Sequence, residues 1–438
     1  MRTATSINTK LTKIGICTLL VFTLFITRLF YLQIISGSYF ISRGKQNFLR
    51  IENTRPLRGN ILDCNDQLLA TNRPMINIYW HGSGNSVLSG DQLKIIDLLN
   101  TILDEPITNE KNTLSTLAYR ERHKKKMCIA TDLSMDQLSK IEELFPQHPN
   151  IALETHFERH YPHSHSASHV LGYLRQELDK ETFGTMGLEK VFQDSLHGQQ
   201  GTIIRTINSV GRNIAHIELE QARAGNDVTT TIDIDLQKLA EMVFPDDQAG
   251  TLILMDPYEG NIKALVSNPS FDPSLFLRPI SNKDWNELQE RRPFLNRALG
   301  ASYPAGSIFK LITVSAALEN NIVSEDDCFD CKGFYHFGGR KYWCNRRWGH
   351  GELTTLQAVA HSCNILFYEI GRKIDIDLLS DYAQKFGLGR PTNSLFPEKT
   401  GLVPSRRWKS EVKGERWWPG ETLSLAIGQS FLLATPMQ

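Results

Sequence analysis

The most constraining feature of the sequence is an apolar stretch from Ile14 to Ile35, which only a few Thr residues, Gln33 and the charge of Arg28 interrupt. Its 22 residues are enough to cross a bilayer as a helix, and the Arg28 stem can extend to the interface near the far end. A cleaved signal peptide with Ile14–Ile26 as its apolar core is the alternative. No Ala-x-Ala-like cleavage site follows, and the apolar pattern resumes after Arg28, so the sequence favours a retained transmembrane anchor.

Basic residues flank this anchor and bear on its orientation. Three precede it in the polar tail of residues 1–13: Arg2, Lys10 and Lys13. Three follow it: Arg43, Lys45 and Arg50. Because Lys and Arg are enriched on the cytoplasmic side, the first group predicts a cytoplasmic tail, a single pass and a body outside the inner membrane. The second group lies on the other side of the anchor and therefore weakens the prediction of this orientation.

Length and composition narrow the function classes. The 438 residues suffice for two or three domains with their own cores. Lys+Arg and Asp+Glu both number 48, so the chain has no net charge and nothing indicates a nucleic-acid partner. Of seven cysteines, four cluster towards the C-terminal end: Cys328, Cys331, Cys344 and Cys363. Such clustering indicates a metal site or disulfides.

Two regions of different character follow the anchor. Residues 40–225 form a mixed region without an obvious catalytic group, and a second domain is predicted over residues 226–438. This second region begins with a helical segment, Asp233–Phe244, and two strands, Thr251–Met255 and Ile262–Val266, joined by an Asp-Pro-x-x-Gly turn. We therefore expect an α+β domain with helices against an antiparallel sheet.

An apolar helix is predicted over Ile308–Leu318, directly after a loop at residues 303–306. Ser307 and Lys310 are three residues apart and share one face at the start of that helix. A buried, neutral Lys310 amine would accept the hydroxyl proton of Ser307, and the helix N-terminus favours negative charge on the serine oxygen. Ser-x-x-Lys is a short pattern, and an N-cap serine before a surface lysine is the alternative.

A second candidate element is Ser362-Cys363-Asn364, between the helical segment Leu353–Ala360 and the apolar Ile365–Ile370. A short turn between two helices presents the Ser362 hydroxyl and the Asn364 amide on one side. The hydroxyl can relay a proton towards a leaving group, and the amide can hold a substrate peptide group and Lys310. A helix-capping serine is the alternative, but the order of the two elements favours catalysis.

These two elements, in this order, resemble the penicillin-binding protein and β-lactamase class, whose third element is Lys-Thr-Gly on a strand. The wider match is to class B penicillin-binding proteins, and within them to the elongation-type branch, penicillin-binding protein 2. The other segments that carry the resemblance are Arg55–Asp63, Arg159–Pro162, His169–Tyr173, Gly187–Glu189, Tyr303–Lys310, Trp348–Gly351, Ala426–Gln429 and Thr435–Pro436. The resemblance runs from the anchor to the last residue.

The resemblance implies a penicillin-sensitive peptidoglycan D,D-transpeptidase that cross-links stem peptides during cell elongation. Ser307 would attack the penultimate D-Ala carbonyl of a stem pentapeptide, release D-Ala and pass the acyl group to an amine of a neighbouring stem. Lys310 would be its base, Ser362 the relay and Asn364 a substrate ligand. The implied ligands are therefore stem peptides and β-lactams.

The resemblance also implies an architecture and partners. We expect an elongated, non-catalytic pedestal domain of the dimerisation type over residues 40–225. A penicillin-binding/β-lactamase-like transpeptidase domain, with helices on both faces of its sheet, would follow over residues 226–438. The implied partners are a polytopic membrane glycan polymerase and the rod-elongation scaffold, reached through residues 14–225. The chain would sit in the bacterial inner membrane with its bulk in the periplasm.

The third element of the signature departs from the family pattern. Lys399-Thr400-Gly401 lies between two prolines, and Glu398–Pro404 resembles a different family segment, a loop before Gly428-Gln429. In the family the strand motif follows that segment, whereas this sequence reaches only Gln438. We therefore expect a C-terminally incomplete transpeptidase domain, without the strand that binds the substrate carboxylate and supplies an oxyanion donor. Ser430 also stands where the resemblance predicts Gly.

The clustered cysteines lie close to the candidate site in sequence. Cys331, Cys344, His350 and Cys363 supply three thiolates and an imidazole, a ligand set suited to a structural, tetrahedral Zn²⁺. Zinc would tie residues 331–350 to the Ser362 loop. Some elongation-type relatives resemble this arrangement, with a metal held by Cys, Asp and His at matching positions. A Cys328–Cys331 or Cys331–Cys344 disulfide is the alternative in an oxidising compartment.

Two rival functions remain at this point. A catalytically defective remnant that only binds cell-wall elongation partners would explain the missing third motif. A serine β-lactamase is the weaker rival, because the long anchored N-terminal half serves no purpose there.

Overall fold

The computed structural model describes residues 2–41, 49–103, 107, 114–146, 148–176, 182–207, 213–245, 247–278 and 280–438. These residues form two compact units, each assembled from separated stretches of the chain. The first contains the described parts of residues 1–59, 72–158 and 197–226. The second contains those of residues 60–71, 159–196 and 227–438.

The helices and strands alternate irregularly along the chain. The helices are α1 (Arg2–Phe30), α2 (Gly90–Ile102), α3 (Leu114–Arg122), α4 (Met135–Leu144), α5 (Ser168–Leu171), α6 (Gly187–Val191), α7 (Gln193–His197), α8 (Ile234–Val243), α9 (Asn282–Arg291), α10 (Arg297–Gly300), α11 (Lys310–Glu319), α12 (Thr355–Ala360), α13 (Asn364–Lys373), α14 (Ile376–Lys385), α15 (Arg406–Trp408) and α16 (Pro419–Ala426). The strands are β1 (Leu49–Thr54), β2 (Ile61–Leu62), β3 (Leu68–His81), β4 (Lys126–Ala130), β5 (Ile151–His160), β6 (Leu174–Gln176), β7 (Thr182–Gly184), β8 (Gly201–Ile207), β9 (Asn213–Glu220), β10 (Val228–Thr229), β11 (Gly250–Met255), β12 (Ile262–Asn268), β13 (Cys328–Cys331), β14 (Phe334–Phe337), β15 (Arg340–Trp343) and β16 (Gly351–Thr354).

The apolar stretch near the start of the chain is helical, as predicted. Helix α1 continues through a π-helical turn, Tyr31–Ile35, and its segment Ile14–Ile35 is long and apolar enough to cross a membrane. The hydroxyl of Thr18 donates to the carbonyl of Ile14 at 3.0 Å, four residues earlier, and Thr23 and Thr27 do the same at 2.8 Å. These bonds satisfy hydroxyl groups that would find no water inside a bilayer.

The first compact unit is built on two groups of paired strands. Strand β8 lies between β1 and β9 and is antiparallel to both, and β3 is antiparallel to β4 and also pairs with β5. Helices α2 and α4 each begin with a capping box, from Ser89 to Gln92 and from Ser134 to Gln137, which satisfies their first free N–H groups. Their apolar faces and β3 enclose a core that includes Ile78, Trp80, Leu99, Leu117 and Ile141.

The second unit contains the predicted hairpin. Strand β11 runs antiparallel to β12, with Gly250 opposite Asn268, and helices α8 and α10 pack against the pair. Asp233 caps α8 by accepting from the N–H groups of Asp235 and Leu236 at 3.0 and 3.1 Å. The hairpin and the helix before it are therefore confirmed, and the mixed α+β architecture with them.

A buried ion pair holds part of this unit together. The Arg159 guanidinium nitrogen Nε donates to Glu189 Oε1 at 2.7 Å, and both side chains are buried. The Tyr161 hydroxyl donates to the same carboxylate oxygen at 3.3 Å. Removal of one partner would take a compensating charge away from the other buried group, so the two sequence segments Arg159–Pro162 and Gly187–Glu189 depend on each other.

Residues 60–71 belong to the second unit although they lie far upstream. Strand β2 pairs with the first residues of β3 and runs parallel to β10, and Ile61, Leu69 and Ala70 join a core that includes Leu188 and Leu299. The unit boundary falls inside β3, between Thr71 and Asn72. The packing of the second unit thus draws on segments from both sides of residue 226.

A helical core in the second unit positions the candidate site. Helices α11, α13, α14 and α16 pack together, and their buried side chains include Phe309, Ile312, Phe367, Leu379 and Leu423. Because α11 and α13 begin at the two candidate catalytic segments, their packing brings the N-terminal ends of both helices together.

Candidate active site and metal centre

The predicted nucleophile and base lie at the start of α11. Ser307 lies in a 3₁₀ turn, Gly306–Phe309, and the α-helix begins at Lys310, two residues later than the predicted Ile308. In a 3₁₀ turn residues three apart eclipse one another, so Ser307 and Lys310 share a face. Ser307 is exposed, whereas Lys310 is 3% exposed. The hydroxyl is accessible to a substrate, and the amine is shielded from water.

The Lys310 amine bridges to the second candidate element. Its Nζ donates to Ser362 O at 2.8 Å, to Ser362 Oγ at 3.0 Å and to Asn364 Oδ1 at 2.7 Å. All three acceptors are uncharged oxygens. The structure therefore brings Lys310, Ser362 and Asn364 into direct contact, with Ser307 one turn from the amine.

Burial sets the protonation of this lysine. Desolvation lowers the pKa of Lys310 to about 8, while the charges of Cys344 and Cys363 act in the opposite direction. Burial dominates because an ammonium ion loses its hydration and gains no carboxylate in return. A free amine is the form that can accept a proton, and a pKa of about 8 populates it near neutral pH.

The Ser362 turn is held in a strained conformation. Ser362 has φ of 50°, in the left-handed region that costs a residue with a side chain about 1 kcal/mol or more. Its N–H donates to Val359 O at 3.0 Å, and the Cys363 N–H donates to Ala358 O at 2.8 Å. The Asn364 amide nitrogen Nδ2 donates to Trp343 O at 3.0 Å, so its oxygen Oδ1 faces Lys310. The orientation of the amide is thus fixed from outside the turn.

Residues 426–434 support the loop that precedes Ser307. The Gly306 N–H donates to Gly428 O at 2.8 Å, and Tyr303 and Ala434 exchange two backbone hydrogen bonds of 2.8 and 2.9 Å. Gly428 has φ of 74°, and a Cβ atom there would lie 2.0 Å from Gly306 O. Reasoning from the residues alone missed this role, although the isolated glycine in an otherwise apolar segment was a signal for close backbone approach.

The four predicted metal ligands converge in one place. Their ligand atoms all lie within 4.8 Å of one another, and the three cysteines are buried while His350 is half-buried. His350 Nδ1 lies 3.4 Å from Cys331 Sγ and 3.6 Å from Cys344 Sγ, and Cys344 Sγ lies 3.8 Å from Cys363 Sγ. The edges of a tetrahedral zinc site are about 3.8 Å between sulfurs and about 3.6 Å between sulfur and nitrogen.

The chemistry of the thiols also fits a cation. Burial raises the pKa of the Cys363 thiol to about 12, so a thiolate there requires a compensating positive charge. Gly349 allows the chain to close on the cluster, because its Cβ would lie 2.1 Å from Cys331 O, where the His350 N–H donates at 3.0 Å. Donor set, spacing and burial are thus those of a closed structural zinc site.

The alternative disulfides do not form. Cys328 and Cys331 both lie in β13, and residues three apart in a strand are separated by about 10 Å, beyond the Cα separation of about 7 Å that a disulfide allows. All the cysteines of the described residues are free, including Cys331 and Cys344. Cys328 is exposed and lies outside the cluster.

The Lys399-Thr400-Gly401 triplet lies outside the regular strands. Its segment is irregular, and the Lys399 N–H donates to Leu299 O at 2.9 Å. Gly401 has φ of 63°, and the next residue, Leu402, forms only an isolated bridge to Leu433. This geometry agrees with the expectation that the triplet is not the strand motif. Ser430, where the resemblance predicted Gly, adopts φ of 68°.

Comparison with known proteins agrees with the architecture. Residues 53–230 match the penicillin-binding protein dimerisation domain, and residues 250–438 match the penicillin-binding protein transpeptidase domain. The peptidoglycan D,D-transpeptidase MrdA of Acinetobacter baumannii is 31% identical over 433 residues, which cover 94% of this chain. The chain spans 63% of the length of that relative.

Solved structures give the same result. The complex between penicillin-binding protein PBP2 and MreC from Helicobacter pylori has a TM-score of 0.72 at 28% identity, covering 89% of this chain and 76% of that one. A peptidoglycan synthase complex that coordinates polymerization and crosslinking has a TM-score of 0.72 at 29% identity, covering 98% and 75%. The chain therefore carries the dimerisation and transpeptidase domains of penicillin-binding proteins, and it is similar to PBP2-type proteins that are named peptidoglycan D,D-transpeptidases.

Proposed function

We propose that this chain cross-links peptidoglycan stem peptides through an acyl-enzyme on Ser307. One observation carries the proposal: the Lys310 amine is buried, its hydrogen bonds to described residues all go to uncharged oxygens, and it lies one turn from an exposed serine hydroxyl. An amine in that environment is a base near neutral pH rather than a surface cation. A helix-capping serine before a surface lysine would require Lys310 to be exposed.

The first half of the reaction forms the acyl-enzyme. Lys310 Nζ accepts the Ser307 hydroxyl proton as the oxygen attacks the carbonyl carbon of the penultimate D-Ala. The bond from that carbon to the terminal D-Ala nitrogen then breaks. The proton passes from Lys310 through the Ser362 hydroxyl, 3.0 Å away, to the departing amine. Asn364 keeps Lys310 in place and offers its amide to the substrate backbone.

The second half transfers the acyl group. An amine of a neighbouring stem peptide gives up a proton along the same Ser362–Lys310 path and attacks the ester carbon. The bond to Ser307 Oγ breaks, and that oxygen recovers the proton from Lys310. β-Lactams enter the first half in place of the stem peptide and leave Ser307 acylated, since their ring amide occupies the position of the scissile bond.

We also propose a structural Zn²⁺ held by Cys331, Cys344, His350 and Cys363, whose ligand atoms are mutually within 4.8 Å. A bound Zn²⁺ supplies charge compensation for the thiolates and free energy of folding. Cys344 directly follows Trp343, the acceptor of the Asn364 amide, and Cys363 lies between Ser362 and Asn364. The cluster thus fixes the turn on which Lys310 depends.

The proposal extends to location and partners. The apolar helix anchors the chain once in the bacterial inner membrane, with the basic tail in the cytoplasm and the bulk in the periplasm. The PBP2 complex with MreC and the peptidoglycan synthase complex support an elongation scaffold protein and a membrane glycan polymerase as partners. Residues 14–225 are the proposed contact region.

Fluorescent penicillin labelling of membranes that contain residues 1–438 tests the proposal, with Ser307→Ala as the control. A band at the mass of the chain that is lost in Ser307→Ala supports the acyl-enzyme. No band, from a protein shown to be folded and membrane-bound, contradicts it. That result would favour the rival function, a chain that binds elongation partners without cross-linking.

A further inference from the structure

A basic and aromatic surface lies beside the candidate site and has no role in the mechanism above. Between Cys331 and His350 the chain carries five cationic side chains and no carboxylate: Lys332, Arg340, Lys341, Arg346 and Arg347. Trp348 is 80% exposed and Trp343 is 42% exposed. The chain as a whole has no net charge, but these twenty residues carry five cations and two exposed indole rings. The surface they form is therefore locally positive and aromatic.

The cations of this surface lie against the rings. The Arg347 guanidinium is 5.2 Å from the centre of the Trp343 ring, and Arg346 is 5.8 Å from that of Trp348. The Lys341 ammonium is 5.9 Å from the Trp343 ring. Among the side chains that the structure describes, these three cations form no ion pair. Ring contacts limit their motion.

The surface is attached to the catalytic turn. Trp343 O accepts from Asn364 Nδ2 at 3.0 Å and from the Tyr368 hydroxyl at 3.3 Å. The Asn345 amide nitrogen donates to His361 O at 3.2 Å. Because these bonds join both ends of the segment Trp343–Asn345 to the residues around Ser362, a peptide bound at Ser362 and Asn364 lies alongside the surface.

We propose that Trp343, Arg346, Arg347 and Trp348 bind the carboxylates of the acidic stem peptide whose backbone occupies the candidate site. This inference rests on the proposed function, because it names the part of the substrate that the surface recognises. A planar guanidinium accepts a carboxylate through two parallel N–H bonds, and an indole face packs against a peptide plane. Stem peptides carry side-chain carboxylates upstream of the D-Ala residues, whereas the D-Ala residues offer only backbone groups and a terminal carboxylate.

The test compares two synthetic stem pentapeptides, one with free side-chain carboxylates and one with those groups converted to amides. Binding is measured by fluorescence anisotropy on the full chain with Ser307→Ala, so that no turnover occurs. We expect Arg346→Ala with Arg347→Ala to weaken binding of the acidic peptide about tenfold, and to leave binding of the amidated peptide unchanged. Lys94→Ala with Lys140→Ala, an equal change of charge in the other compact unit, should alter neither.

Two results would overturn the proposal: equal affinity of the wild-type surface for both peptides, or unchanged affinity of the double variant for the acidic one. The thermal unfolding midpoint of the double variant should match that of the Ser307→Ala chain, which separates a lost contact from a misfolded site. Absence of penicillin labelling would contradict the acyl-enzyme alone. On the chain with Ser307 intact, prior acylation by penicillin distinguishes two ways of binding: a peptide that binds as the donor is blocked, and a peptide that binds as the acceptor still binds.

Discussion

Two lysines of the second unit are almost fully buried, and their surroundings give them opposite properties. Lys310 is 3% exposed and Lys409 is 1% exposed. Lys409 Nζ lies 2.5 Å from Glu421 Oε1 and 3.4 Å from Glu415 Oε2. Among the described residues, the hydrogen bonds of Lys310 Nζ all go to uncharged oxygens. Burial works to lower the pKa of both, but the two carboxylates outweigh it and raise the pKa of Lys409, whereas the pKa of Lys310 falls to about 8.

The difference shows that burial alone does not make a lysine a base. Removal from water destabilises the ammonium ion in both places, and the charge of the acceptor then decides the outcome. A carboxylate acceptor produces a structural cation. Hydroxyl, carbonyl and amide acceptors also position the side chain, but they do not raise the pKa of the amine as a carboxylate does.

The largest expected effect is on the rate of penicillin labelling, which should fall when Lys310 is replaced but not when Lys409 is replaced. Lys310→Met should lower the rate of penicillin labelling about a thousandfold or more, because the base is lost while the shape is kept. Lys409→Met should leave the labelling rate of the folded protein unchanged. Stopped-time labelling with fluorescent penicillin measures both. An equal loss of labelling rate in the two variants would show that the different surroundings of the two lysines do not affect catalysis.

The next effect concerns the cluster that fixes the acceptors of Lys310. Cys363→Ser should abolish stoichiometric zinc and lower the free energy of unfolding by about 3 kcal/mol or more, because a buried ligand of a closed site is lost. Cys328→Ser is the matched control, since Cys328 is exposed and outside the cluster. Metal analysis and thermal unfolding report the two quantities. A zinc content unchanged by Cys363→Ser would contradict the proposed ligand set.

The free energy of unfolding should show the opposite pattern, with the larger loss on replacement of Lys409. Lys409→Met should cost about 2 kcal/mol of unfolding free energy, because it leaves the Glu421 carboxylate without its partner. Lys310→Met removes a buried cation that no carboxylate compensates, so the protein should be as stable as wild type or more stable. Denaturant unfolding of the two variants in the same detergent provides the comparison. A destabilised Lys310→Met would show that its hydrogen bonds outweigh its desolvation.

The smallest effect is a pH dependence. The pKa of Lys310 is lower in the folded chain than in the unfolded one, so its charged form costs stability below pH 8. That cost disappears as the pH rises from the folded pKa of about 8 towards the ordinary lysine pKa of 10.5, which applies to the unfolded chain. The free base increases over the same change, and the rate of acylation should rise about tenfold from pH 7 to pH 9. A rate that is flat across this range would contradict Lys310 as the base.

Much of this arrangement could be predicted from the sequence, for local reasons. The apolar run from Ile14 to Ile35, the Asp-Pro-x-x-Gly turn before β12 and the spacing of Ser307 and Lys310 depend on residues close together in the chain. The ligand types Cys and His likewise predicted that Cys331, Cys344, His350 and Cys363 converge. Each of these signals arises from periodicity, turn chemistry or donor type.

Other features depended on contacts between distant residues. The Trp343 carbonyl that orients Asn364, and the two glutamates that distinguish Lys409 from Lys310, have no local pattern. Nor does the sequence indicate that residues 60–71 and 159–196 pack with residues 227–438. Backbone acceptors and long-range packing are set by the folded chain as a whole, so single-segment reasoning does not reach them.

The close backbone approach of Gly428 to Gly306 limits the mutations that the site can accept. Every amino-acid replacement available to a glycine codon by one base change adds a Cβ atom, and here that atom would meet a backbone oxygen at 2.0 Å. The neighbour is main chain, so no choice of rotamer relieves the overlap. Heritable variation that reshapes the Ser307 loop should therefore arise at positions other than this one.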